Sequence, residues 1–156
     1  MYKEQLTKEQ ALPKVRQYCA YQERCHSEVK EKLYSFGLYK KDVELLLSNL
    51  IEDNYLNEER FAMIFAGGRF RIKHWGKIKI RYELKQKQVS DYCIKKALQE
   101  INSTEYLKTL YKLAESKLKL LKPEKNVFTK KKKLHDYLVQ KGFESPLIQN
   151  VMKDLL

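Results

Sequence analysis

Apolar positions along this chain recur as three copies of one pattern. With Gly37, Gln88 and Gly142 in register, Leu33, Leu84 and Leu138 stand four residues before them, and Val29, Ile80 and Leu134 eight before. Leu38, Val89 and Phe143 stand one after. Then come Val43, Leu47 and Leu50; Ile94, Leu98 and Ile101; and Ile148, Met152 and Leu155, at the i, i+4, i+7 spacing of one helix face. The copies are offset by 51 and 54 residues, a period typical of repeat architectures.

Each copy reads as a helix, a tight turn and a second helix. Gly37 and Gly142 stand where a helix end favours a left-handed residue, and Gln88 replaces them in the middle copy, so its turn is expected to differ or be strained. The closing helices are expected to start near Ser90 and at Ser145-Pro146, a cap followed by proline at the first helical position. Tyr39 and Lys40 make a poor cap in the first copy.

A further helix precedes each pair. The first is expected over about Ala11 to Tyr21, with Pro13 in its first turn. The second spans Glu58 to about Lys73, with Asn57 as cap and Phe61, Ile64 and Phe65 at helical spacing. The third runs from Thr104, its cap candidate, to about Leu121, with Leu107, Leu110, Tyr111, Ala114 and Leu118 on one stripe; Pro123 to Asn126 form a short loop. Gly67-Gly68 costs the middle one of these helices about 2 kcal/mol against alanines, and reads as close packing or as a hinge. The expected fold is therefore all-α: three tandem three-helix repeats, 1–54, 55–102 and 103–156, in an elongated, curved modular array. About 50 residues per repeat is marginal for an independent core, so neighbours should lean on one another.

Composition agrees with helix: five Gly and three Pro in 156 residues, with 43% apolar residues, enough for a core. The net charge of +12 points to an anionic partner, with solubility alone as the plain alternative. No apolar run reaches a membrane span and the first residues lack a signal-peptide core, so a cytoplasmic protein without membrane contact is expected. Cys19, Cys25 and Cys93 fit reduced thiols. Cys25-His26 with Cys19 and His74 matches no zinc spacing, and neither metal nor cofactor is expected.

Positive charge is concentrated in the middle copy. Between Arg69 and Lys87, eight Lys or Arg face one acid, Glu83, with Phe70, Ile72, Trp75, Ile78, Ile80, Tyr82 and Leu84 interleaved. Lys77, Arg81 and Lys85 share one helix face, and Arg69, Arg71, Lys73 and Lys79 extend the field. Lys130, Lys131, Lys132 and Lys133 form a second cluster opening the eighth helix, where cations oppose the dipole; a solvated charge run is the other reading. Asp42, Glu44, Glu52, Asp53, Glu58 and Glu59 make an acidic stretch, so the chain is polarised in charge. Trp75 suits either packing at the turn or base stacking. No nucleotide loop, zinc-protease helix or nucleophile elbow is present, and a non-enzymatic protein is expected.

Tyr55-Leu-Asn-Glu-Glu-Arg-Phe-Ala62 followed by Lys73-His-Trp-Gly-Lys-Ile-Lys-Ile-Arg-Tyr-Glu-Leu84 resembles the signature of the RecX regulatory proteins. Tyr18-Cys-Ala-Tyr21 and Ser27-Glu-Val-Lys-Glu-Lys-Leu33 through Gly37 resemble that family's first repeat. The resemblance implies a modulator of the RecA recombinase, and a monomer is expected. Such a protein would bind the RecA–single-stranded DNA filament in its groove, suppress strand exchange, ATP hydrolysis and coprotease activity, and so modulate DNA repair and the SOS response. Arg60 matches the signature arginine and is expected to pair with a neighbouring acid. Two other readings fit the residues: a basic helix-turn-helix DNA-binding module, though lysine suits phosphates more than bases, and a scaffold for an acidic protein.

Overall fold

The computed structural model describes residues 5–156. The first four residues of the first expected repeat, which also open the segment read for a signal peptide, lie outside them. The described residues form nine helices and no strand: α1 Lys8–Tyr21, α2 His26–Ser35, α3 Lys40–Glu52, α4 Glu58–Lys73, α5 Lys77–Gln86, α6 Asp91–Gln99, α7 Ser103–Leu120, α8 Val127–Lys141 and α9 Ser145–Leu155. The fold is the expected helical repeat.

The repeat register holds at atomic detail. Leu33, Leu84 and Leu138 are fully buried, as are Val29, Ile80 and Leu134. Truncating any of these leucines to alanine carries the cost of an unfilled core site, about 2–5 kcal/mol. On α3 the inward spacing is i, i+3, i+7, Val43, Leu46 and Leu50, with Leu47 only partly buried, whereas along α6 and the residues after it Ile94, Leu98 and Ile101 are buried as expected, together with Ala97. In α9, Ile148 and Val151 are buried, while Met152 and Leu155 are half-buried.

All three aligned turn residues are left-handed, Gly37 at φ 83°, Gln88 at 63° and Gly142 at 97°. Each donates its backbone N–H to the carbonyl three residues earlier: Tyr34, Lys85 and Val139. Gln88 thus adopts the glycine conformation at the cost of its Cβ.

Several helix ends differ from expectation. Helix α1 starts at Lys8, because Thr7 and Gln10 form a reciprocal capping box, Gln10 N–H to Thr7 Oγ1 at 3.2 Å and Thr7 N–H to Gln10 Oε1 at 3.0 Å. Pro13 therefore lies beyond the first turn, inside the helix. Asn102, not Thr104, caps α7, its Oδ1 accepting from the Glu105 N–H at 3.0 Å. The buried stripe of α7 is Tyr106, Leu110 and Ala114, with Leu107 outside. At α9, Glu144 is the cap residue and Pro146 the second helical position. Asn57 and Ser90 cap as expected, accepting from Arg60 and Cys93 N–H groups.

Gly67 and Gly68 do not interrupt α4. A Cβ on Gly68 would meet nothing within 4 Å, and one on Gly67 would meet only the flexible Arg71 guanidinium. Close backbone packing is therefore not the reason for this pair. The buried face of α4 is Phe61, Ala62, Ala66 and Phe70, while Ile64 is exposed.

The chain divides into two compact units: Met1–Ile64 with Leu84–Lys96, and Phe65–Glu83 with Ala97–Leu156. In the first, Ala11, Val15, Cys19, Val29, Leu33, Val43, Leu46, Leu50 and Leu56 form one core. Ser27 at the start of α2 donates to the Lys87 carbonyl at 2.9 Å. In the second, α7, α8 and α9 pack on one another. At the start of α5, the Gly76 N–H donates to the Lys141 carbonyl at 2.7 Å and the Ile78 N–H to the Gly142 carbonyl at 2.9 Å. Lys87 and Lys141 each precede their left-handed turn residue. In both units, then, the start of one repeat's middle helix seats on the turn of the next repeat, so compact packing follows these seats.

Candidate nucleic-acid interface

The basic segment is built on the end of α4 and the start of α5. Helix α4 ends in left-handed His74, φ 57°, with the Trp75 N–H returning to the Arg69 carbonyl at 3.2 Å. That turn presents half-buried Trp75 to three cations: Lys79 Nζ lies 4.6 Å, the Arg69 guanidinium 5.6 Å and Lys73 Nζ 5.7 Å from its ring centroid. These are cation–π distances, and a base stacking on the ring would have to displace a cation. Arg69 also covers Phe65 at 4.5 Å, and its buried Nε has no hydrogen-bond partner. Trp75 thus serves as a platform that positions charge.

Lys77 is held differently. Its Nζ lies 5.0 Å over the Tyr106 ring, and its backbone N–H donates to the Tyr106 hydroxyl at 2.9 Å. Tyr106 donates in turn to Glu144 and stacks between Phe70 and Phe143, at 5.7 and 5.1 Å between centroids. Burial, reinforced by the Glu144 hydrogen bond, pushes the Tyr106 phenol far above its ordinary value. This tyrosine joins the basic segment to the third repeat; the expected α7 stripe, right at Leu110 and Ala114, began at exposed Leu107 and so missed it.

Of the other expected site residues, Arg71 folds back toward Gly67, and Arg81 is exposed. Lys85 belongs to the other compact unit, where it pairs with Asp91 at 3.8 Å. The lysine run lies later in its helix than expected. Asn126 caps α8 and Val127 opens it, so Lys130 to Lys133 fall beyond the first turn, where they do not oppose the dipole. Lys133 bonds Glu124 at 3.2 Å; the Asn126 N–H, then Lys133, hold that carboxyl below its ordinary range. Lys131 and Lys132 are exposed and Lys130 is half-buried.

Four of the six acids in the acidic stretch, all but Asp42 and Glu52, are engaged by described residues. In the acidic stretch, Asp53 pairs with Arg16 at 3.4 Å, Glu44 with Lys40 at 3.9 Å and Glu59 with Lys96 at 3.1 Å, while Glu58 accepts the Ser90 N–H at 2.6 Å. Arg60 donates to Glu23 at 2.6 Å and to both Asn54 oxygens, as the signature pairing implied. Among the described residues, none of Arg69, Arg71, Lys73, Lys77, Lys79 and Arg81 pairs with a carboxylate. Cys19, Cys25 and Cys93 are buried free thiols, burial raising the first two, and no group of three metal-ligating side chains occurs among the described residues. No described helix is long and apolar enough to cross a membrane.

The class defined by these features is a tandem array of three-helix units with an unpaired cationic surface on its second unit. Family profiles agree: residues 57–98 match "RecX, second three-helix domain" and residues 104–152 match "RecX, third three-helix domain". A protein of Prosthecochloris aestuarii named "Regulatory protein RecX" is 34% identical over 139 residues, 89% of each chain. One of the same name from Bacillus cytotoxicus is 30% identical over 88% of this chain, which spans only 51% of that longer relative. The crystal structure of RecX from Lactobacillus salivarius superposes with a TM-score of 0.86 over 95% of this chain and 96% of its own, at 21% identity, a likeness of fold. The chain belongs to the RecX family of regulatory proteins.

Proposed function

We propose that this chain binds the RecA–single-stranded DNA filament and inhibits its strand exchange, ATP hydrolysis and coprotease activity, modulating DNA repair and the SOS response. The observation that carries the reading is the row of cations from Arg69 to Arg81 left without carboxylate partners among the described residues, while the acids at 53, 58 and 59 are engaged. Unpaired cations held in place by aromatic rings cost little to reorganise when an anionic surface arrives. On this reading the protein works as a cytoplasmic monomer, with 1–54, 55–102 and 103–156 as its units of contact.

The test titrates RecA filament ATPase with this protein and compares its affinity for the filament with that for naked single-stranded DNA. Slowed hydrolysis and tighter filament binding are expected. Equal affinity for both, with hydrolysis unchanged, sinks the reading and leaves a general DNA-binding helical module in its place.

A further inference from the structure

Cations and aromatic rings also converge outside the second repeat. An open cleft of about 550 Å³ lies between α1 and α2, within the first compact unit. Lys14, Tyr18 and Tyr21 line it from α1 at i, i+4 and i+7, so they share one helix face. Lys32 and Phe36 line it from α2 and the residue after it, and Arg24 from the connecting loop; none of the described lining residues is acidic.

The arrangement is built. Arg24 donates its Nε–H to the Tyr18 carbonyl at 3.1 Å and stacks its guanidinium 3.8 Å from the Tyr18 ring centroid. Glu28, outside the lining, steadies it at 3.8 Å. Lys32 Nζ sits 5.3 Å from the Tyr18 ring and 5.5 Å from that of Phe36. Tyr21, at the rim, is 82% exposed, so its ring remains open to a planar ligand. It differs in this from Trp75, whose ring carries cations.

We propose that this cleft is a binding site for single-stranded nucleic acid, with backbone phosphates held at Lys14 and Lys32, Arg24 bracing the Tyr18 ring between them, and a base stacked on Tyr21. Charge favours a polyanion, and an exposed ring beside clustered cations is how single strands are held without sequence preference. An acidic peptide would satisfy the lysines but leave the ring unused. The site does not rest on filament binding, because a naked oligonucleotide is a sufficient ligand.

The experiment uses the full chain and a single-stranded oligodeoxythymidylate. Exposed Tyr21 accepts tryptophan, and Tyr21→Trp reports stacking by fluorescence quenching; the wild type, whose single tryptophan is Trp75, is the control. Oligonucleotide should quench Tyr21→Trp well beyond the wild type. Tyr21→Ala should weaken binding roughly 5- to 150-fold, the equivalent of one stacked base. Lys14→Ala with Lys32→Ala should lower the salt slope by about 1.4, or about 0.7 per neutralised phosphate on a single strand. Quenching no greater than in wild type, an unchanged slope, or equal quenching by poly-L-glutamate would overturn the site. None of these outcomes bears on filament inhibition, so the two readings fail separately.

Discussion

Tyr106 shows how a residue can both fill a helix stripe and hold a site together through its polar end. Its hydroxyl accepts the Lys77 N–H and donates to Glu144, inside an aromatic cluster. Tyr106→Phe leaves the ring in place but strands both partners, which should cost about 1–3 kcal/mol in urea unfolding. The phenol's pKa is raised in the fold, so its contribution is fully present below the unfolded value near 10 and is lost as pH rises above that value. Unfolding midpoints should therefore fall less steeply above about pH 10 in Tyr106→Phe than in wild type. The place of Gln88 was legible because Gly37 and Gly142 occupy the aligned positions. With φ at 63° it carries a left-handed backbone that glycine adopts freely. Gln88→Gly should stabilise by about 1 kcal/mol in the same assay, and a loss would mean that the side chain holds something. The left-handed residues Asn54 and His74 fall outside the repeat register, so no comparison between copies revealed them.

Helix α5 and the closing helices were legible because buried positions recur with the repeat, and α4 because Asn57 and the acids after it mark a helix start, although Ile64 of its expected stripe is exposed. Helix starts were less so: Thr7, Asn102 and Asn126 cap one to several residues before the first apolar position, where periodicity carries no information. The glycines of this region separate the two cases. Gly68 faces open space in mid-helix, so Gly68→Ala should raise stability by about 1 kcal/mol. Filament inhibition that survives this stiffening removes the hinge reading; inhibition that falls while the protein is more stable restores it. Gly76 is a point of close approach, since a Cβ there would overlap the Gly142 carbonyl. Gly76→Ala must open the seat between the start of α5 and the Gly142 turn, giving up two backbone hydrogen bonds. A loss of more than about 2 kcal/mol is expected. The turn glycine was readable from sequence; its partner was not, because the seat joins residues 66 apart.

For the chain as a whole, a net charge of +12 says only that an anion is wanted. What localises it is which charges the fold neutralises, and pairing between distant residues is hidden from a linear reading. Lys85 and Lys133, both legible as basic, prove to be paired, whereas Arg81 and Lys73 are exposed without a carboxylate. Lys77 is a poor probe despite its place on the same helix face. A carboxylate there would face the Tyr106–Glu144 pair and confound binding with stability. The sharper variant is Arg81→Glu with Lys73→Glu. Both side chains are exposed, so thermal unfolding should move by no more than about 0.5 kcal/mol per site. If the segment meets DNA phosphate, filament affinity should fall and its log–log salt slope should flatten by roughly one unit for each phosphate left without its cation. If it meets an acidic protein face instead, affinity falls through the association rate, and the loss narrows as added salt screens the new repulsion. Unchanged inhibition with an unchanged slope would exclude this segment from the interface, however basic it is.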